Sequence, residues 1–270
     1  MWWSIVGVIA CIVALLFVIS WFFRLHFLTI SNVQIFGTDP DISDQIHDVV
    51  LKELNGNYLG LFPRANVLIY PKQNIETTIQ SQFIRVQDIS INHDGLTGLR
   101  ITVNEKTPSA VVCATLPNFE NNVLTFDPTD SCYFADSTGL LFEKSGGHTG
   151  HPYNTYYAPE IYVSGSSSDL VGSYATSTAE FARLQSFTDS IMHSGLNADA
   201  MLLKDGGEYE LYSSSTVIYF NDEEGISDEL TNLLAFWNHS VASDHTNRTQ
   251  TVYDYIDLRY SPNVFYKVVK

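Results

Sequence analysis

The apolar positions of this chain fall into two regimes. From Trp2 to Phe23 they are nearly continuous, with no charge and only Ser4, Gly7 and Ser20 as weak points. As a helix this run would be about 33 Å long, enough for a hydrocarbon core of about 30 Å. Beyond Arg24 the pattern becomes periodic. Thr29 to Ile35 places Val33 and Ile35 on one face of a strand, which Gly37 and Asp39-Pro40 stop. Ile42, Ile46, Val49, Val50 and Leu54 then share one stripe of a helix, with Asp41 or Ser43 to cap its start and Gly56 to close it. Pro71 opens a second helix with Ile75, Ile79 and Phe83 on its apolar face. Two alternating strands follow, Val86 to Asn92 and Leu99 to Glu105, turned by Asp94-Gly95 and Gly98.

After Pro108 the texture changes to short strands with two helices among them. Ala110 to Thr115, Cys132 to Asp136 and Leu140 to Glu143 read as strands, and Lys144 to Tyr157 and Ser164 to Ser168 as loops. Phe181, Leu184 and Ile191 mark a helix ended by Gly195. Ala200 to Lys204 and Glu208 to Tyr212 form a hairpin about Gly206-Gly207, and Thr216 to Phe220 adds a strand. Ser227 caps a helix with its stripe at Ile226, Leu230, Leu233, Leu234 and Trp237, and Asp228 and Glu229 suit its first turn. Tyr253 to Tyr260 and Val264 to Val268 close the chain as a hairpin around Ser261-Pro262-Asn263. The predicted class is α+β: an anchor over 1–24, a strand-helix-helix-strand-strand domain over 28–107, and a mostly antiparallel β-domain with two helices over 108–270.

Composition narrows the function classes. With 14 basic and 30 acidic residues in 270, the formal charge of −16 has the wrong sign for a protein that binds by neutralising phosphates, so no nucleic-acid partner is expected. The apolar run lacks the basic start of a cleaved signal peptide and exceeds the usual length of its apolar stretch, which favours a retained transmembrane helix. Val8-Ile9-Ala10-Cys11 has the outline of a lipoprotein cleavage box, yet the apolar run continues to Phe23, so Cys11 reads as a small hydrophobe facing lipid. Only Arg24 flanks the span, leaving the rule that basic residues stay inside little to act on.

Two stretches in this order resemble the FtsQ/DivIB family of bacterial division proteins. The first runs from Leu28-Thr29-Ile30-Ser31-Asn32-Val33-Gln34-Ile35-Phe36-Gly37 to Leu99-Arg100-Ile101-Thr102-Val103-Asn104-Glu105-Lys106-Thr107-Pro108 and looks like a POTRA domain directly after a single span. The second is Tyr255-Ile256-Asp257-Leu258-Arg259-Tyr260. Between them, Tyr133 to Phe142 is similar to the family's strand, Asp-x-x-Gly turn and return strand, here Asp136 to Gly139. Lys144 to Asp199 matches least. The chain departs from the pattern in having little sequence before the span, two Cys in the β-domain and an insertion-like loop after Asn118.

The resemblance implies a non-enzymatic divisome scaffold without cofactor. Its N-terminus would be cytoplasmic and its C-terminal domain extracytoplasmic, at the division septum. The partners implied are FtsB/DivIC-like and FtsL-like single-span proteins, which regulate septal peptidoglycan synthesis. Strand addition is the physics available, and Val264 to Val268 is the candidate edge. Tyr260, Ser261, Val264, Phe265 and Tyr266 are the expected partner-binding residues. Phe265 lies on one face of the strand, Val264 and Tyr266 on the other, so one set can enter the core while the other meets a partner.

Other constellations carry less. Cys113 and Cys132 lie on strands that could be neighbours, as a disulfide or as two buried thiols; a bridge would add about 3 kcal/mol by loop entropy. His148 and His151 sit in a Gly-rich loop without a third metal ligand nearby. Asp257 and Arg259, two apart on a strand, share a face and are placed to pair. No Gly-x-Ser-x-Gly elbow, His-Glu-x-x-His helix or phosphate loop occurs. Asn238-His239-Ser240 and Asn247-Arg248-Thr249 match the glycosylation triplet, which arises often by chance. The competing class is a membrane-tethered ligand-binding or hydrolytic domain, with the Tyr-rich stretch from Tyr153 to Tyr162 and the acidic residues as a glycan-binding surface.

Overall fold

The computed structural model describes residues 2–120, 123–125, 131–147, 152–159, 169–194, 196–214, 216–222, 225–247 and 252–269. His148, His151, Gly195, Arg248 and the stretch from Ser164 to Ser168 lie outside them, and so do the expectations placed there. The chain forms two compact units, residues 1–106 and 107–270, each with its own apolar core.

The first unit begins with α1 (Trp2–Phe23), a helix long and apolar enough to cross a membrane. Its side chains are exposed almost throughout, as an uncharged helix in water should not be and a helix in lipid must be. After it come β1 (Asn32–Phe36), α2 (Pro40–Leu54), the two-residue strands β2 (Asn57–Tyr58) and β3 (Phe62–Pro63), α3 (Lys72–Gln82), β4 (Val86–Asp94) and β5 (Gly98–Glu105). The sheet order is β1-β5-β4, with β1 parallel and β4 antiparallel to β5. Gly95, at φ +73°, makes the tight β4–β5 turn. The parallel partner β1 needs a crossover, which the two helices supply.

Ile46, Val50 and Leu54 of α2 and Ile75 and Ile79 of α3 are buried, and pack with Ile89, Ile91, Leu99, Ile101 and Val103 of the sheet. Two local details differ from expectation. Asp39, not Asp41 or Ser43, holds the N-cap position of α2, because Pro40 fits the first helical turn, where no backbone N–H is needed. The first strand starts at Asn32 rather than Thr29, since His26–Leu28 takes a 3-10 turn and Ile30 N donates to Ala65 O at 2.8 Å.

The second unit contains β6 (Ala110–Cys113), β7 (Asn118–Glu120), β8 (Val123–Thr125), β9 (Cys132–Ala135), β10 (Leu141–Lys144), β11 (Asn154–Tyr157), α4 (Thr178–His193), β12 (Ala200–Leu203), β13 (Glu208–Ser213), β14 (Thr216–Asn221), α5 (Ile226–Asn247), β15 (Tyr253–Tyr260) and β16 (Asn263–Val268). Among the described residues nine strands form one sheet in the order β10-β9-β6-β11-β12-β13-β14-β15-β16. It is mostly antiparallel; β11 runs parallel to both its neighbours, and β14 to β15.

Phe181, Leu184, Phe187 and Ile191 of α4 and Leu233 of α5 are buried with Tyr156, Leu211, Ile218, Phe220 and Ile256 of the strands. Ser177 caps α4 by accepting from Glu180 N. A second cluster, from Val111, Tyr157, Leu202, Tyr212 and Val217, has Phe119 and Leu124 of the β7–β8 hairpin packed against it. At the Asp136 turn, Asp136 Oδ1 accepts from Thr138 N at 2.9 Å and Leu140 N at 3.3 Å. Gly139 there has φ +83°, and a Cβ on it would come within 2.9 Å of the Phe181 ring.

Asn154–Tyr157 corrects the expectation of a loop over Lys144 to Tyr157. It is an interior strand, with Thr155, Tyr156 and Tyr157 all buried. A strand with parallel neighbours and two covered faces has no polar face, so alternation could not reveal it. The Tyr-rich stretch is thus partly core: among its described residues Tyr156 and Tyr157 are fully buried, unsuited to a sugar-binding surface.

Candidate docking edge of the C-terminal sheet

The last hairpin is positioned by α5. In its first turn the buried Glu229 carboxylate accepts the Asn221 N–H at the end of β14, at 3.1 and 3.0 Å from its two oxygens. The stripe Asn232, Phe236 and Ser240, four residues apart, then meets the hairpin. Asn232 Nδ2 donates to Ser261 Oγ at 3.2 Å. The Phe236 ring lies 5.4 Å from that of Tyr253 and 5.1 Å from that of Tyr266. Tyr253 donates its hydroxyl to Ser240 Oγ at 2.9 Å.

β15 sits between β14 and β16, whereas β16 pairs only with β15 among the described residues. In an antiparallel pair alternate backbone N–H and C=O groups point away from the partner strand, so the outer side of β16 presents a row of them. Register places Tyr266 opposite Ile256 and Phe265 opposite Asp257. Val264 therefore turns to the helix-covered face, where it is half-buried against the core. Tyr266 lies on that face too but keeps 53% of its surface exposed. Phe265, also 53% exposed, turns to the opposite face and meets the Tyr260 ring edge-on at 5.7 Å.

That opposite face carries paired charges. Arg259 donates to Asp257 twice, Nε to Oδ1 at 2.9 Å and Nη2 to Oδ2 at 2.7 Å, which is the pairing expected of two residues sharing a strand face. The Asp257 hydrogen bond holds the Arg259 guanidinium above its ordinary range. The same guanidinium lies over the Tyr219 ring at 5.2 Å and the Tyr260 ring at 5.9 Å. Lys267 pairs with Asp254 at 2.6 Å, and that bond raises its pKa.

No family model and no curated protein matches this chain.

All five expected docking residues thus sit on one hairpin, in unequal roles. Tyr260 and Phe265 are exposed on one face, Tyr266 is exposed on the other, Val264 is half-buried against the core, and Ser261 is tied to α5. Sequence reasoning missed Asn232, Phe236 and Ser240; their four-residue spacing was available, but two of them are polar and lie beside the apolar stripe it followed. Cys113 and Cys132 lie opposite each other on β6 and β9 and are joined as a disulfide. Among the described residues no group of three or more His, Cys, Asp or Glu is placed to hold a metal.

Proposed function

We propose that this chain is a non-enzymatic division scaffold of the FtsQ/DivIB kind, held by α1 in the bacterial membrane with both folded units on the extracytoplasmic side at the septum. In this reading the first unit is a POTRA domain, supported by its strand-helix-helix-strand-strand order after one apolar helix, with the short β2–β3 hairpin set between its two helices. The β-domain receives a segment of an FtsB/DivIC-like coiled-coil protein, with an FtsL-like protein in the same assembly. The observation that carries the reading is the open outer side of β16 beside Tyr260 and Phe265, 59% and 53% exposed. An added strand satisfies the backbone groups there, and the two rings supply an anchor.

The test is affinity capture of the host's short single-span coiled-coil proteins on the tagged chain. Tyr260→Ala and Phe265→Ser remove exposed rings, so circular dichroism and thermal unfolding should stay unchanged. Capture should weaken by about 2 kcal/mol, roughly thirtyfold, for either. Undiminished capture by both variants overturns the assignment.

A further inference from the structure

The β2–β3 hairpin is attached to the end of α1. Asn66 Nδ2 donates to Phe23 O at 2.8 Å, the Phe62 ring meets the Phe23 ring at 5.6 Å, and Ser20 Oγ donates to Leu61 O at 2.8 Å. Read backwards from Asn66 to Leu61, these contacts climb α1 from Phe23 to Ser20, a rise of about 4.5 Å. The hairpin thus runs back alongside the apolar helix, and its tip lies level with the final turn. Ser20, buried at 5% exposure, is covered there.

The tip is built for an apolar medium. Leu59 is 93% exposed and adopts φ +50°, a conformation that costs a leucine energy which its few contacts among the described residues do not return. Backbone groups flanking it are paired at close range: Leu61 N donates to Tyr58 O at 3.0 Å, Arg64 N to Gly56 O at 3.0 Å, and Leu61 O takes the Ser20 hydroxyl. Backbone entering a boundary poor in water needs that. Beyond α1 this unit exposes six large apolar side chains, Phe27, Phe36, Leu51, Leu59, Leu68 and Leu96. Three of them lie close to the end of α1: Leu59 on the tip, Phe27 just past the helix, and Leu68 beside Val67, whose N–H donates to Leu28 O. Arg24, and Arg64 with its guanidinium 5.3 Å from the Tyr58 ring centre, bring two cations to the same level.

We infer that the β2–β3 hairpin is a second membrane contact, with Leu59 and its neighbours seated in the phospholipid boundary beside α1 and Arg24 and Arg64 among the phosphates. Apolar side chains at this depth enter the headgroup and acyl boundary, and arginines beside them reach outward to phosphate. Two points of attachment fix the tilt of this unit over the bilayer, which one helix alone leaves free. The inference rests on α1 crossing the membrane.

The test uses the full chain with Cys11→Ser, in vesicles of equimolar phosphatidylcholine and phosphatidylglycerol, without reductant so that Cys113 and Cys132 stay bonded. A nitrobenzoxadiazole probe is placed singly at Leu59→Cys, at Val13→Cys within α1, and at Asp44→Cys in the first half of α2, away from the hairpin. The Leu59 probe should show blue-shifted emission, protection from iodide and quenching by lipids spin-labelled near the headgroup. The Val13 probe should respond to deep spin labels, and the Asp44 probe to iodide. Iodide quenching at Leu59 equal to that at Asp44, with Val13 protected, overturns the hairpin contact alone. Iodide quenching at Val13 refutes the span itself, and the hairpin contact falls with it.

Discussion

Tyr209 and Tyr212 show how a phenol in this sheet becomes a pH sensor for stability. Tyr209 donates to Glu180 Oε1 at 2.6 Å and Tyr212 to Glu210 Oε2 at 2.7 Å. Burial first, and the hydrogen bond to a carboxylate second, push both well above the ordinary value of 10.0. The folded chain therefore keeps these two protons where the unfolded chain has released them. Their contribution is whole below pH 10 and declines as pH rises further toward the folded values. The urea midpoint should hold steady up to about pH 10 and fall above it, more gently for a Tyr209→Phe, Tyr212→Phe double variant. Parallel titration of tyrosinate absorbance checks the assignment, and equal slopes for variant and parent count against it. Pairing between residues two apart, as in Asp257 and Arg259, was legible because one strand sets it. The stacking of Arg259 on Tyr219 was not: it depends on the parallel register of β14 with β15, across the whole of α5.

Several of the strands and helices that the pattern predicts share one property, a face buried and a face wet. β4, β5, α2 and α5 have it, and their positions follow from periods of two and 3.6. β11 lacks it because both its faces are covered, and β2, β3, β7 and β8 are too short to show any period. Cysteines open a different route. The residues between Cys113 and Cys132 include the β7–β8 hairpin, and the bridge closes them on adjacent strands β6 and β9. Reducing it restores freedom to that loop in the unfolded chain, at a stability cost of about 3 kcal/mol. Urea denaturation with and without reductant reads this directly, and an unchanged midpoint argues against the loop-entropy account.

Two units that share no core imply two separate foldings. Every residue of the first core lies between Leu28 and Val103, and every residue of the other two between Ala110 and Leu258. Thr107–Lys270 made alone should unfold cooperatively at the midpoint of the corresponding transition in the full chain. A broad, non-cooperative transition would count against its independence. The change of texture at Pro108 was visible in the sequence because short strands replace long periodic segments there. The last hairpin was visible as two alternating runs around Ser261-Pro262-Asn263, while the support it takes from α5 emerges only when the helix is laid across it.

The sheet keeps its bridge and its open side far apart. From β6 to β16 there are six strand spacings, on the order of 30 Å. A reducing environment would thus shorten the lifetime of the molecule without altering the recognition proposed for the open edge, and the durability of the protein and that proposed recognition can drift independently over evolutionary time.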